Sequence, residues 1–498
     1  MQWDGVSRNL DQRAYWRAVG EISARWLNRY AVSPNHQRVA FVDRQDGREV
    51  LTVDGKKEGL FDQVYLPWFS PDSRRVAFSA RIGSGRFIVV DGVESQRYEA
   101  GSDMYPIFSP DSQRIAFMAR RTGSELMVID GVEGKPYANL NTASPPKVFS
   151  PNSKRVAYAA QTKAGKWVAV VDGAESEPAD KVDSLLFSPD SQHLIYRAVR
   201  GSDSFVVLDG VEGPAFAGVE IWVGKHGCFS PDGKRSAYLV RTKLGEAVVV
   251  DGQPGAQHKE VDLSSLVFSP DSRRFAYAAR TDSTAFVVVD GKEGPHYDCL
   301  EETPLFSSDG KHLAYVAMRA GKTFVVLDGA EGPLYWKISQ PVFSPDSRHL
   351  AYAAFHGLTA TVLLDGKEGP QHTLGNIEGS GIEILFSPDS RRMAYRILIA
   401  GKAERVVVDG VESKLYERVE GGVSFSPDSK HLAYWASPFS GKWYVVVDGH
   451  TTAKYTRVLE HTRPIFDGSD SLHALAVRGE EVVLLQIKIP MPSRSESK

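Results

Sequence analysis

The sequence predicts an all-β protein assembled from about a dozen copies of one four-stranded antiparallel sheet. Three observations predict it. The phrase Phe-Ser-Pro-Asp at residues 69–72 recurs along the chain. Its acidic or amide residue returns as Asn35, Asp72, Asp111, Asn152, Asp190, Asp232, Asp271, Asp309, Asp346, Asp389 and Asp428, 37 to 43 residues apart. Self-similarity at that period marks a repeat architecture. An apolar run ending in Asp-Gly follows each copy, at Asp54, Asp91, Asp130, Asp172, Asp209, Asp251, Asp290, Asp328, Asp365, Asp409 and Asp448. Between the two, a shorter run ends in an aromatic in every copy, from Phe41 through Tyr158 to Tyr434.

The third copy shows why each element forms. Residues 105–109 read as strand a, and Pro110-Asp111-Ser112 as a turn. Proline fixes φ there, and the Asp and Ser side chains can bond the backbone two residues on. Residues 114–119 read as strand b, with Ile115 and Phe117 on one face at period two. A polar loop over 120–125 follows, then strand c at 126–129, a continuous apolar run that predicts burial on both faces. Asp130-Gly131 turns the chain, because Gly accepts positive φ. A short polar strand d surrounds Tyr137, as an exposed edge strand should. A meander of about 40 residues in four strands is a propeller blade.

A lone blade cannot bury both of its faces, so the recurrent aromatics must fill the gaps between neighbours. Phe recurs on strand a at 69, 108, 149, 187, 229, 268, 306, 343, 386 and 425, and burying one contributes roughly 1.5–3 kcal/mol. A twelfth, degenerate unit closes the array: residues 464–466 as strand a, 472–477 as b and 481–487 as c, without Asp-Gly and without strand d. The other end supplies what is missing, since Asp4-Gly5 precedes a strand-like stretch at 15–19. The N-terminal strand is therefore expected to complete the last blade and remove the free edges. Residues 13–26 are the only stretch with some helical character.

Twelve blades exceed the usual four to eight. Ring-size statistics favour two six-bladed rings, divided as 1–252 and 253–490 with a seam near 253–266. The even spacing and single closure signal favour one twelve-bladed ring. Residues 491–498 read as a disordered tail.

Bulk properties exclude several classes. A net charge of −3 supplies no field for nucleic acid or an anionic membrane. No run of 18 apolar residues could span a bilayer as a helix. The start lacks a signal peptide, so the chain is expected in the cytoplasm, or in the periplasm or outside the cell if a leader has been removed. Cys228 and Cys299 make neither a metal spacing nor a disulfide framework.

Copies reading FSPDS-x-[RH]-x-A-[YF] and then VVVDG-x-EG resemble the WD-like propeller repeats of bacteria, as in the C-terminal domain of TolB, over residues 30–490. The resemblance implies the propeller fold and an expectation of protein or ligand binding, and it supplies no catalytic residues. The separate N-terminal α/β domain of TolB-like proteins has no counterpart here.

Candidate chemistry is sparse. His193, His312, His349 and His431 share one repeat position with Arg38, Arg75, Arg114, Arg155, Arg235, Arg274 and Arg392. That recurrence predicts a structural role, pairing with a neighbouring blade or turn. Turn chemistry accounts for the repeated Asp residues better than metal binding does. No nucleophile elbow, phosphate-binding loop or zinc helix signature occurs. The expectation is no cofactor, no metal and no catalytic residue.

Function on this scaffold belongs where copies differ, on the rim formed by b–c and d–a connections. Two d–a connections are longer than the rest: 219–227, with Trp222, Lys225 and His226, and 373–384, with Asn376 and Glu378. Basic b–c loops and acidic d–a residues (Asp183, Asp262, Glu301, Glu302, Glu420) share that rim. The reading is a monomeric, non-enzymatic binding scaffold for a protein or small ligand. An enzyme with its site on the propeller, a sugar lyase or lactonase-type hydrolase, is the alternative. It would need His226, His356 or His461 to converge.

Overall fold

The computed structural model describes residues 29–99, 104–141, 148–221, 228–374, 382–399, 403–439, 441–460, 462–479 and 481–489, and the backbone of 14–21. All regular structure among these residues is strand. The tail at 491–498 lies outside them. No helix among the described residues is long and apolar enough to cross a membrane.

The twelve expected sheets are present, each an antiparallel meander a–b–c–d. The blades are numbered 1 to 12 along the chain. Blade 3 runs Ile107–Phe108, Ile115–Arg121, Ser124–Ile129 and Val132–Glu133, with Tyr137 rejoining strand c opposite Glu125. Strands b and c are longer than expected. The loop read over 120–125 shrinks to Thr122-Gly123, because both residues take positive φ, 50° and 75°, and Arg121 pairs directly with Ser124. Consecutive positive φ is the two-residue hairpin geometry that matches strand twist.

Strand a of blade 3 is shorter than the 105–109 expected, whereas in other blades strand a runs long. In blades 5, 7 and 11 it spans Lys181–Phe187, Glu260–Phe268 and Arg418–Phe425, each with a break in register against strand b. Asp183, Asp262 and Glu420 therefore sit inside a strand, not in a d–a loop. The bulge re-aims the chain without ending the pairing, and Ser184, Gly421 and Gly422 supply its positive φ. Gly421 admits no other residue, since a Cβ there would lie 2.2 Å from the Thr462 carbonyl oxygen.

The chain divides into two compact units, 1–69 with 342–498, and 70–341. In the second, each blade seals against the next. Met127 and Tyr137 of blade 3 pack with Phe149, Val156 and Tyr158 of blade 4. Leu239 and Val248 of blade 6 pack with Val261, Phe268 and Tyr277 of blade 7. The stretch 253–266 thus lies inside this unit, within a seam packed like the others. The first unit holds both ends of the chain. Strand Ala14–Glu21 pairs antiparallel with Glu481–Lys488 and is the fourth strand of blade 12, as expected from sequence. The segment with helical character is a strand over these residues, because strand c of the last blade offers it an unpaired edge. Blade 12 then packs on blade 1, with Leu475, Val482 and Leu484 against Val39 and Phe41. His473 reaches across this seam and donates Nε2–H to the Asn35 carbonyl at 2.8 Å, while Nδ1 faces Asp467 at 2.7 Å.

Candidate functional site

The recurrent polar residues come first, because the fold consumes them. In the a–b turn of blade 3 the Ser109 hydroxyl donates to Asp111 Oδ1 at 2.6 Å and accepts from the Arg114 N–H at 2.9 Å. Asp111 Oδ1 also accepts the Gln113 N–H at 3.0 Å, and these bonds hold its carboxyl below the usual carboxylate range. The fourth residue of each turn has positive φ. It is Ser in eight blades (63–66°), Gly233 and Gly310 in two, and His36 in the first. That Ser serves the preceding blade: Ser112 accepts the Asp72 N–H at 3.0 Å, and Ser153 the Asp111 N–H at 2.9 Å. Where Gly stands instead, the preceding carboxylate takes the space, and a Cβ on Gly233 would lie 2.5 Å from Asp190.

The Asp-Gly pairs form two-residue turns with both φ positive, 47–53° for Asp and 75–87° for Gly in all eleven blades. Their carboxylates are spent inside the blade. Asp130 Oδ1 accepts the Ile115 N–H and Oδ2 accepts Arg114 Nε–H at 2.8 Å. The Arg side chain continues outward. Arg114 Nη1 donates to the Ser153 and Lys154 carbonyls of blade 4, and its guanidinium lies 5.1 Å from the centre of the Phe149 ring. All seven Arg at this position lie over the strand-a Phe of the next blade, at 5.1–5.5 Å. The four His pair only with their own Asp, at 2.5–2.7 Å through Nδ1. The position is structural, as its recurrence predicts.

A Glu stands two residues after Asp-Gly in eight of the eleven copies, and Glu175 shows an inter-blade role that sequence reasoning missed. Glu175 accepts the Tyr137 hydroxyl of the preceding blade at 2.7 Å, and Lys135 at 2.6 Å. Burial and this bond push the Tyr137 hydroxyl far above its ordinary value. In two blades the strand-d aromatic is instead a buried His. His258 lies 3.3 Å from the Tyr277 hydroxyl and 3.4 Å from Glu293; His372 lies 2.9 Å from the Tyr395 hydroxyl and 3.2 Å from Glu412. Both are about 2% exposed, and burial lowers both pKa values. Their alignment with Tyr137, Tyr297 and Tyr416 was the available signal.

At the other end of the blades, many basic b–c residues pair with neighbouring acids. Arg121 meets Glu133, Lys166 meets Asp180, and Arg241 meets Glu220 and Glu246, at 2.5–2.8 Å. Arg319 grips Glu331 with both guanidinium nitrogens, at 2.7 and 2.8 Å. Asp183, one of the acidic set, is tied to Arg197, which also donates to the Val219 carbonyl of blade 6. The charges named here form local pairs.

The predicted contact residues Trp222, Lys225, His226, Asn376 and Glu378 lie outside the described residues, as does His461. Their flanks are described. Val219, Ile221 and Cys228 are buried in the seam of blades 5 and 6. Leu374, Ile382 and Ile384 are buried in the seam of blades 9 and 10. Both long connections therefore leave from and return to rigid anchors. Cys228 is buried and Cys299 half-buried, and neither forms a disulfide. Among the described residues no group of three His, Cys, Asp or Glu is placed to hold a metal.

One groove stands out. A space of about 780 Å³ opens in the first unit between blades 9 and 10, at the end of the a–b and c–d turns. Val362, Leu364, Phe386 and Met393 line its floor, and Arg348, Lys367 and Arg391 stand at its edge.

No family model matches the chain, and no curated protein matches it. Among solved structures, TolB from Acinetobacter baumannii is similar at 16% identity over 58% of this chain and 77% of its own, with a TM-score of 0.23. The β-propeller domain of the trilobed protease from Pyrococcus furiosus is similar at 12% identity over 54% of this chain and 93% of its own, with a TM-score of 0.25. A eukaryotic initiation factor is similar at 11% identity over 68% of this chain and 96% of its own, with a TM-score of 0.34.

Proposed function

We propose that the chain is a non-enzymatic binding scaffold whose partner, a protein or a small ligand, docks at the end of the blades carrying the b–c turns and d–a connections. One observation carries this reading. The repeated polar residues at the opposite end are largely committed to turns and seams, whereas the two long connections break the repeat and spring from buried anchors. Trp222, Lys225 and His226 on one, and Asn376 and Glu378 on the other, offer an aromatic surface, both signs of charge and an amide. An exposed Trp beside a cation is a common anchor of recognition. The two connections are separate candidate surfaces.

The test is capture of partners from the source cell by the intact chain, against Trp222→Ala/Lys225→Glu and, separately, Asn376→Ala/Glu378→Lys. The first pair is expected to lose a specific partner with no change in thermal midpoint. Unchanged capture by both pairs would remove these connections from the site. Fractionation of the same cells tests the proposed cytoplasmic location.

A further inference from the structure

We infer that the groove between blades 9 and 10 is a binding site for a small amphiphilic anion, a carboxylate on an apolar body. The site is distinct from the connections proposed above, and lies at the opposite end of the blades.

One contribution to the groove is identifiable. At seven seams an Arg pairs with the Asp of its own Asp-Gly turn and extends over the Phe of the next blade. At blade 9 that position is His349, as it is His193, His312 and His431 in blades 5, 8 and 11, so the short side chain contributes to the opening and does not make it alone. The His349 ring reaches Asp365 Oδ2 at 2.7 Å and ends there. Among the described residues no guanidinium covers Phe386, and the groove's lining includes both His349 and Phe386. Val362, Leu364, Met393 and Pro370 extend the apolar lining. A volume of about 780 Å³ is of the size that holds a small molecule.

The edge determines the sign of the ligand. Arg348 and Arg391 occupy equivalent places in the a–b turns of the two blades, and Lys367 follows Asp365-Gly366. All three line the groove, are exposed, and make no ion pair among the described residues. The acids of the lining are Asp346, Glu368, Asp389 and Asp409, and Glu368 acts on the Tyr352 hydroxyl. Asp346 and Asp389 each accept a Ser hydroxyl and a backbone N–H within their own turns. Asp409 holds Arg392 and the Met393 N–H. Three exposed cations without an ion pair among the described residues, over an apolar floor, favour an anionic head group on an apolar body, and Arg presents a fork that matches a carboxylate.

The test uses the full chain and the fluorescent probe 8-anilinonaphthalene-1-sulfonate, an apolar anion. One saturable site is expected, emptied by octanoate and not by octylamine. His349→Arg restores the residue that covers Phe at the other seams. It is expected to abolish probe binding while the thermal midpoint holds or rises. Arg348→Glu/Arg391→Glu, both at exposed positions, is expected to weaken binding at least about tenfold with the midpoint unchanged. Absence of a saturable site, survival of the site in His349→Arg, or equal displacement by octylamine would each overturn the inference.

Discussion

Replacing Arg114 by His tests whether the arginine clamp joins blades or merely decorates a turn. The substitution is one the chain itself makes in four blades, where Nδ1 of the ring still reaches the Asp of the turn. It therefore keeps the Asp130 pair and removes only the contacts to blade 4. Those are the bonds from Nη1 to the Ser153 and Lys154 carbonyls, at 3.1 and 3.3 Å, and the stacking on Phe149. The side chain is 30% exposed, so screening is partial. Two long bonds from one nitrogen contribute about 1 kcal/mol net, and the stacking about 0.5 kcal/mol. The expected loss is about 1.5 kcal/mol, roughly tenfold in the opening of that seam. Arg114→Ala also loses the Asp130 pair, a further ~0.5 kcal/mol. In a stacked array each blade feels chiefly its neighbours, so a global midpoint dilutes a local loss. The measurement is native-state hydrogen exchange at the Asp111 amide, which bonds Ser153 across the same seam. Phe149→Leu alone and with Arg114→His completes a double-mutant cycle, with a coupling of at least about 0.5 kcal/mol expected. If Arg114→His leaves exchange at this seam unchanged, or speeds a distant seam equally, the arginine is not a clamp.

Three further outcomes follow from the same geometry. Ser112→Ala strips the acceptor from the Asp72 N–H and should cost about 0.5–1.5 kcal/mol at the seam of blades 2 and 3, read as faster exchange of that one amide. His258 and His372 have pKa values lowered from 6.5 by burial, with Glu293 and Glu412 opposing through charge. The unfolded chain then binds protons that the folded chain refuses, so stability is full above pH 6.5 and declines as pH falls below it. Thermal midpoints from pH 8 to pH 5 should fall less steeply in His258→Phe/His372→Phe than in the parent; parallel curves would refute the assignment. Deleting residues 1–28 leaves strand Glu481–Lys488 with an unpaired edge. Self-association is expected by light scattering, and a monomer of unchanged midpoint would contradict the closure.

What was legible in the sequence, and what was not, divides by the distance between interacting residues. The blades were legible because their turns are local: Ser-Pro-Asp-Ser carries its hydrogen-bond partners within a few residues, and Asp-Gly finds its partners inside its own blade. The seams were half legible. The recurrence of Arg or His at one position marked it as structural. That the guanidinium lies on a Phe 31 to 35 residues later, as Arg114 does on Phe149, is a fact of stacking that no local pattern carries. The same holds for Glu175 and Tyr137. Asp183 and Glu420 were read as loop residues because bulges at Ser184 and at Gly421-Gly422 break the two-residue alternation by which a strand is recognised.

The candidate sites sharpen this division. Once the repeat is explained, a residue attracts attention by departing from it, and departures are of two kinds. The long connections around Trp222 and Asn376 are insertions, visible as added length. His349 is a substitution, and a quiet one, since His is a permitted residue at its position in three other blades. Its meaning depends on two residues far from it in sequence: Phe386, which an Arg would cover, and Arg391, which makes no ion pair among the described residues. The groove thus depends in part on a short side chain and a neighbour 37 positions away. The repeat supplies the frame against which a missing guanidinium counts as an opening, and the seven covered Phe rings supply the control for the four seams that carry His.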